Sequence, residues 1–139
     1  MKLGLGLLLC TLAVSTVVWA QSNDDFAEYQ SWMKSNAATA ADLNKALTAK
    51  DAVAAHNDVR KLQETLAMVM AYWQARNIDD GVRYSLDGTY GLAQVDVLIQ
   101  QMKFDEAAAA LKTAQASCGS CHMAHREKAA DGSWKIKMK

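Results

Sequence analysis

Proline is absent from all 139 residues, which removes the residue most disruptive to a helix interior and, with the abundance of alanine, favours long helices. Net charge is absent as well: 15 basic side chains face 15 acidic ones. No basic stripe stands out before the Lys135-Ile136-Lys137-Met138-Lys139 tail, so neither nucleic acid nor a strongly charged partner is expected. No Ser-His-Asp set, phosphate-cradling loop or catalytic carboxylate pair can be placed, and enzymatic turnover is not expected. Cysteine is scarce, with three residues in all, and two of these stand together.

That pair forms Cys118-Gly119-Ser120-Cys121-His122, and C-x-x-C-H is the attachment pattern of a c-type haem. Two thiols three residues apart lie on neighbouring positions of a helical turn, where they can add to the two vinyl groups of one porphyrin edge. His122 then offers an imidazole nitrogen to the iron. Two other readings compete. The thiols could form a disulfide or a redox pair, or Cys118, Cys121 and His122 could hold zinc with His125 or His56 as fourth ligand. Zinc is the less attractive, because no second Cys pair exists to complete a structural site.

Residues 1–20 read as an export signal. Lys2 supplies the positive start, Leu3 to Ala20 carries no charge, and Val18-Trp19-Ala20 precedes a cleavage point before Gln21. The same apolar run is just long enough to stay as a membrane anchor. Cys10 lies inside it after Leu9, which is not the small residue that a lipoprotein site needs. Cleavage would remove one lysine, leaving 14 basic against 15 acidic side chains on residues 21–139, a length suited to one domain. The location expected is periplasmic, with no membrane attachment after cleavage.

Apolar spacing of three and four gives four helices. The first runs over 24–48 through Phe26, Tyr29, Met33, Ala37, Ala40, Leu43 and Leu47, with Asn23 and Asp24 as its cap. The second covers 51–76, with Ala55, Val59, Leu62, Leu66, Val69 and Trp73 on one face. The third covers 80–102 and presents Gly81, Ser85, Gly88, Leu92, Val95, Ile99 and Met102. Its small first half either opens space for a flat porphyrin or marks a loop through Asp87-Gly88. Asp79-Asp80 suits a helix start. The fourth begins near Asp105 and carries Ala107, Leu111, Ala114, Cys118, Cys121 and His125, with His122 one position round. Connections this short predict an all-α, up-down-up-down antiparallel four-helix bundle. In that geometry His122 shares one end with Met33, which lies about 13 Å into the first helix. Trp32, Tyr72 and Trp73 are expected to pack in the core or against a haem edge. His56 and His125 are expected to be packed or solvated.

On these residues the chain resembles a class II c-type cytochrome, of the cytochrome c-prime group. The resemblance covers the layout of residues 21–139, and its specific motif is Cys118 to His122, with Arg126 four residues on, where the group often has a basic residue. It implies one covalent haem c on Cys118 and Cys121 and His122 as proximal iron ligand; Arg126, His125 or Lys128 could hydrogen-bond a propionate. The layout is also similar to that of a non-covalent cytochrome b bundle. Low-spin members place a first-helix Met opposite the histidine and exchange electrons with redox partner proteins, which points to Met33, with Met70 as the runner-up. Five-coordinate members leave that position open and bind gases such as nitric oxide. Gln30 departs from the latter, where an Arg often stands near the haem. Members often form homodimers through their first two helices.

Overall fold

The computed structural model describes residues 23–138. The expected signal over 1–20 and Cys10 lie outside the described residues, as do the side chains of Asn23 and Asp24 that were expected to cap the first helix. Four helices follow one another: α1 (Asn23–Ala49), α2 (Ala52–Gln74), α3 (Asp79–Gln100) and α4 (Phe104–His125). They form the expected all-α four-helix bundle. Each packs on its neighbour in sequence; α3 lies closely against both α2 and α4, while α1 meets α4 only lightly. Among the described residues no helix is long and apolar enough to cross a membrane.

Local chemistry explains the helix boundaries. Asp51 is the N-cap of α2, its carboxylate accepting from the Ala54 N–H at 3.0 Å. Asp79 and Asp80 fall in the first turn of α3, and Asp105 and Glu106 in that of α4, where carboxylates favour the positive end of the helix dipole. The three connections close alike. Lys50, Asn77 and Met102 each take a left-handed φ, of 56°, 55° and 60°. Each of their amides reaches back three residues and the next amide five, as in Met102 N–H to the Ile99 carbonyl (2.9 Å) and Lys103 N–H to that of Leu98 (2.9 Å). This is the Schellman closure, made here without glycine. It also corrects the place expected for Met102, which leaves the inward stripe of α3 and is 62% exposed in the turn.

The interior divides into two clusters. Toward the α1–α2 and α3–α4 turns it is aliphatic, built around Leu43, Val59, Val95, Ile99 and Leu111. Toward the other end it is aromatic: Tyr29, Tyr72 and Trp73 interlock with Val69 and Cys121. Trp73 has no exposed surface, and its ring stands edge-on to both Tyr29 and Tyr72, with centroids 5.6 and 5.3 Å away.

Helix α3 runs unbroken through Asp87 and Gly88, so the loop alternative falls. Its glycines serve mainly close packing. A Cβ at Gly81 would lie 2.6 Å from the Trp73 ring, and one at Gly91 would lie 2.6 Å from the Ala114 Cβ and 2.9 Å from its Cα. Gly91 thus lets α3 approach the α4 backbone, and Gly81 receives the indole. Of the stripe expected to make room for a porphyrin, Gly88 borders open space together with Ser85.

The chain beyond α4 was expected only as a basic tail. Instead Arg126–Lys128 (β1) and Trp134–Ile136 (β2) pair antiparallel, Arg126 opposite Ile136 and Lys128 opposite Trp134. Gly132, at φ 81°, makes the turn, and Asp131 holds it by accepting the Ser133 N–H at 2.9 Å. The ribbon folds back on the bundle through Ile136, which packs on the aromatic cluster.

Candidate functional site

The light contact between α1 and α4 leaves a cleft at the aromatic end of the bundle. It consists of two cavities, of about 200 and about 420 Å³; the larger lies within the roughly 300–1,000 Å³ range of small-molecule and cofactor pockets, and the smaller below it. Tyr29, Met33, Ala37, Cys121 and His122 line both. The smaller cavity runs inward between Leu62, Leu66, Leu92 and Leu111 and is also lined by Cys118. The larger opens outward under the ribbon, between Phe26, Arg126, Trp134 and Ile136.

The last two turns of α4 place Cys118 at the rim and Cys121 beneath it, 9% exposed within the aromatic cluster. The sulfurs are unbridged. Their position in the helix matters. A reactive Cys-x-x-Cys gains from a helix N-terminus or a neighbouring cation, whereas these thiols lie at the negative end of the helix dipole against an apolar wall. Desolvation pushes the Cys118 thiol up, and desolvation, aided by Cys118 and Asp80, pushes Cys121 up to about 11. These are poor conditions for thiol–disulfide exchange. In the haem-free chain, alkylation of Cys121 by iodoacetamide is expected to be slow at pH 7.5 and to keep rising past pH 9, toward a midpoint near 11; mass spectrometry of the alkylated peptide reads it. A plateau below pH 8 would show an activated thiol.

His122 is half-buried, and desolvation, with Arg126 adding, lowers its pKa, so that the imidazole is neutral, the state in which its nitrogen can ligate a metal. Met33, also half-buried, faces the same cleft from α1. Met70 is half-buried on α2 but lines neither cavity, and Met68 and Met102 are exposed. Tyr29 is buried beside them; desolvation, followed by the nearby Cys121, pushes its phenol well above the usual range.

Arg126 follows the last residue of α4. It takes an extended conformation that ends the helix, and its guanidinium lies 4.1 Å from the Trp134 ring centroid while remaining on the wall of the larger cavity. His125 is held elsewhere: Nδ1 donates to the Lys137 carbonyl at 3.1 Å, and Nε2, though it makes no hydrogen bond, lies 3.1 Å from the Asp80 carboxylate. Its ring is stacked near Trp73 at 4.7 Å. His56 pairs with Asp96 at 2.6 Å, linking α2 to α3 in the aliphatic half. Neither histidine therefore completes a zinc site with the two cysteines, and among the described residues no three His, Cys, Asp or Glu side chains converge as metal ligands.

The residues that the sequence reading missed are those of the ribbon, Trp134 and Ile136. The signal was present: Asp131-Gly132 is a turn pair, followed by strict alternation in Trp134-Lys135-Ile136-Lys137-Met138.

The residues present fit a porphyrin. Two unbridged thiols, an imidazole and a thioether line one cleft with largely apolar walls, and Gly88 borders it where a Cβ would stand 3.1 Å from the Ser117 Oγ and 3.2 Å from the Leu66 Cδ1. Comparison with family models, with curated proteins and with solved structures gave no match.

Proposed function

We propose that this chain is an exported, monohaem c-type electron carrier of the class II kind, with haem c bound through Cys118 and Cys121 and ligated by His122 and Met33. The observation that carries the reading is the common cleft: the motif's cysteines and histidine from α4 and the Met33 side chain from α1 all line it. A haem iron held there would supply a one-electron ferrous/ferric couple.

The protein's part is to hold and shield. Cys118 and Cys121, one helical turn apart on α4, would hold the group by covalent attachment. His122 supplies a neutral nitrogen. Met33 supplies a thioether, whose preference for ferrous iron raises a potential relative to an open site. Tyr29, Leu66, Val69 and Leu92 exclude water from the inner wall, and a low-dielectric surround disfavours the extra charge of the oxidised state. Periplasmic location follows from the signal read over residues 1–20 and from the need to attach haem outside the cytoplasm.

Mass spectrometry of the protein purified after co-expression with haem-ligation machinery tests the whole proposal. One haem's added mass, and a start near Gln21, are expected. A mass equal to the polypeptide alone would end it. Met33→Ala tests the sixth ligand: the reduced spectrum of the parent is expected to be low-spin and that of the variant high-spin, with near-complete conversion. An unchanged spectrum would remove Met33, and a parent already high-spin would favour gas binding at an open sixth position.

A further inference from the structure

The sequence offered no charged partner, since its totals cancel. The fold sorts those charges unevenly. Residues 123–138 contribute Arg126, Lys128, Lys135 and Lys137 against Glu127 and Asp131, and both carboxylates are occupied within the ribbon. Glu127 pairs with Lys135 at 3.0 Å, and Asp131 accepts the Ser133 amide. Arg126 and Lys128 lie over the Trp134 ring, 4.1 and 5.2 Å from its centroid, and Lys137 Nζ reaches the Met123 carbonyl at 3.4 Å. Among the described residues none of these three cations makes an ion pair with a carboxylate.

The same stretch exposes apolar surface. Met123 is 76% exposed, and Trp134 and Met138 are each 44% exposed. An isolated exposed apolar residue means little, but Trp134 shares one ribbon face with Arg126 and Lys128, both without a carboxylate partner and both over its ring, so that an exposed aromatic is flanked by two cations. The surface also has a place relative to the cleft. Trp134 and Arg126 line the larger cavity, whose wall is shared with His122 and Met33. A molecule seated on Trp134 is therefore one side-chain layer from the cavity.

We propose that the C-terminal ribbon is the docking surface for an acidic redox partner protein, and that electrons pass at this face. The proposal rests on the haem reading above, and it deepens it by naming the partner's chemistry and the place where it sits. Charge complementarity argues for the occupant: acidic side chains meet Arg126 and Lys128, with Lys137 adding positive charge from the other side of the ribbon, while an apolar group covers Trp134. Such local fields steer encounter even when net charge is near zero, because screening confines the interaction to about 8–10 Å at moderate salt.

The sign of the salt effect decides. Taken as a whole, residues 21–139 are slightly negative, so a whole-molecule field would repel anions weakly. Oxidation of the reduced holoprotein by ferricyanide is expected instead to slow about tenfold between low and high ionic strength. Oxidation by hexaammineruthenium(III), a cation, is expected not to slow. Lys128→Glu/Lys137→Glu, at positions outside the cleft lining, should abolish the ferricyanide effect while leaving the spectrum unchanged. A second readout is independent of haem: hexacyanochromate(III), a redox-inert anion, should broaden amide NMR signals within residues 123–138. Broadening spread equally over Lys45, Lys61 and Lys103, or a ferricyanide rate that rises with salt, would overturn the proposal. Binding of phosphatidylglycerol vesicles through the same residues at physiological salt would overturn it in favour of a membrane surface. A chain without haem mass that still shows the localised broadening would fail the function reading but keep the anion-binding face.

Discussion

Cys118→Ala/Cys121→Ala, co-expressed with haem-ligation machinery and exported, is expected to emerge at its polypeptide mass, with no absorption band surviving acid–acetone extraction. The reasoning separates two kinds of retention. His122, Met33 and the apolar wall remain in this variant, so a porphyrin can still be held in the native state by ligation and burial. Only the thioether bonds survive when the fold is destroyed, and both are gone. The single variants should differ from one another. Cys118 stands at the rim and packs little, whereas Cys121 is buried against Tyr29 and Trp73. Cys121→Ala should therefore also destabilise the haem-free chain, by about 1 kcal/mol for the small volume lost, and Cys118→Ala should not. A double variant that kept extraction-resistant haem would show that the motif is not the attachment site.

The largest stability effect is expected at Trp73. Truncation to alanine removes a fully buried ring from the contacts of Tyr29, Tyr72, His125 and Gly81. Loss of an aromatic of this size costs about 3–5 kcal/mol, a large share of the roughly 5–15 kcal/mol that a domain possesses. Urea titration followed by far-UV circular dichroism reads the shift in midpoint. Trp73→Phe separates packing from polarity. The indole Nε1–H is buried without an acceptor among the described residues, and such a group carries a penalty of about 1–3 kcal/mol. Phenylalanine deletes that penalty while keeping most of the ring, so the variant is expected to lie within about 1 kcal/mol of the parent. Equal losses for the two variants would mean that the indole nitrogen has a partner in solution.

These two sites also show what could be read from the chain. Four helices were legible because Leu, Val and Ala recur at three and four over long stretches without proline. The grouping of two thiols and an imidazole was legible because the C-x-x-C-H pattern is local, set within five consecutive residues. What Gly81 and Gly91 do was not legible, because the reason for each lies across an interface, in the Trp73 ring and the Ala114 backbone. Local spacing says that a residue is small, and only the partner helix says what fills the gap. Where α4 stops, just before Arg126, was not legible either. The end of α4 at His125 is tied to the backbone of Lys137, whose N–H donates to the His125 carbonyl at 2.9 Å from twelve positions later. The ribbon's alternation is short and lysine-rich, and it was taken for a charged tail.

The unequal seams of the bundle bear on how firmly the cleft is gauged. Helices α2, α3 and α4 form a block locked by the close approach at Gly91, whereas α1 is joined to it along α2 and through the two-residue turn at Lys50 and Asp51, and only brushes α4. One jaw of the cleft, bearing His122, is therefore rigid, and the other, bearing Met33, is compliant. A small tilt of the compliant jaw alters the gap between the Met33 sulfur and the His122 imidazole while leaving Cys118, Cys121 and His122 fixed relative to one another on α4.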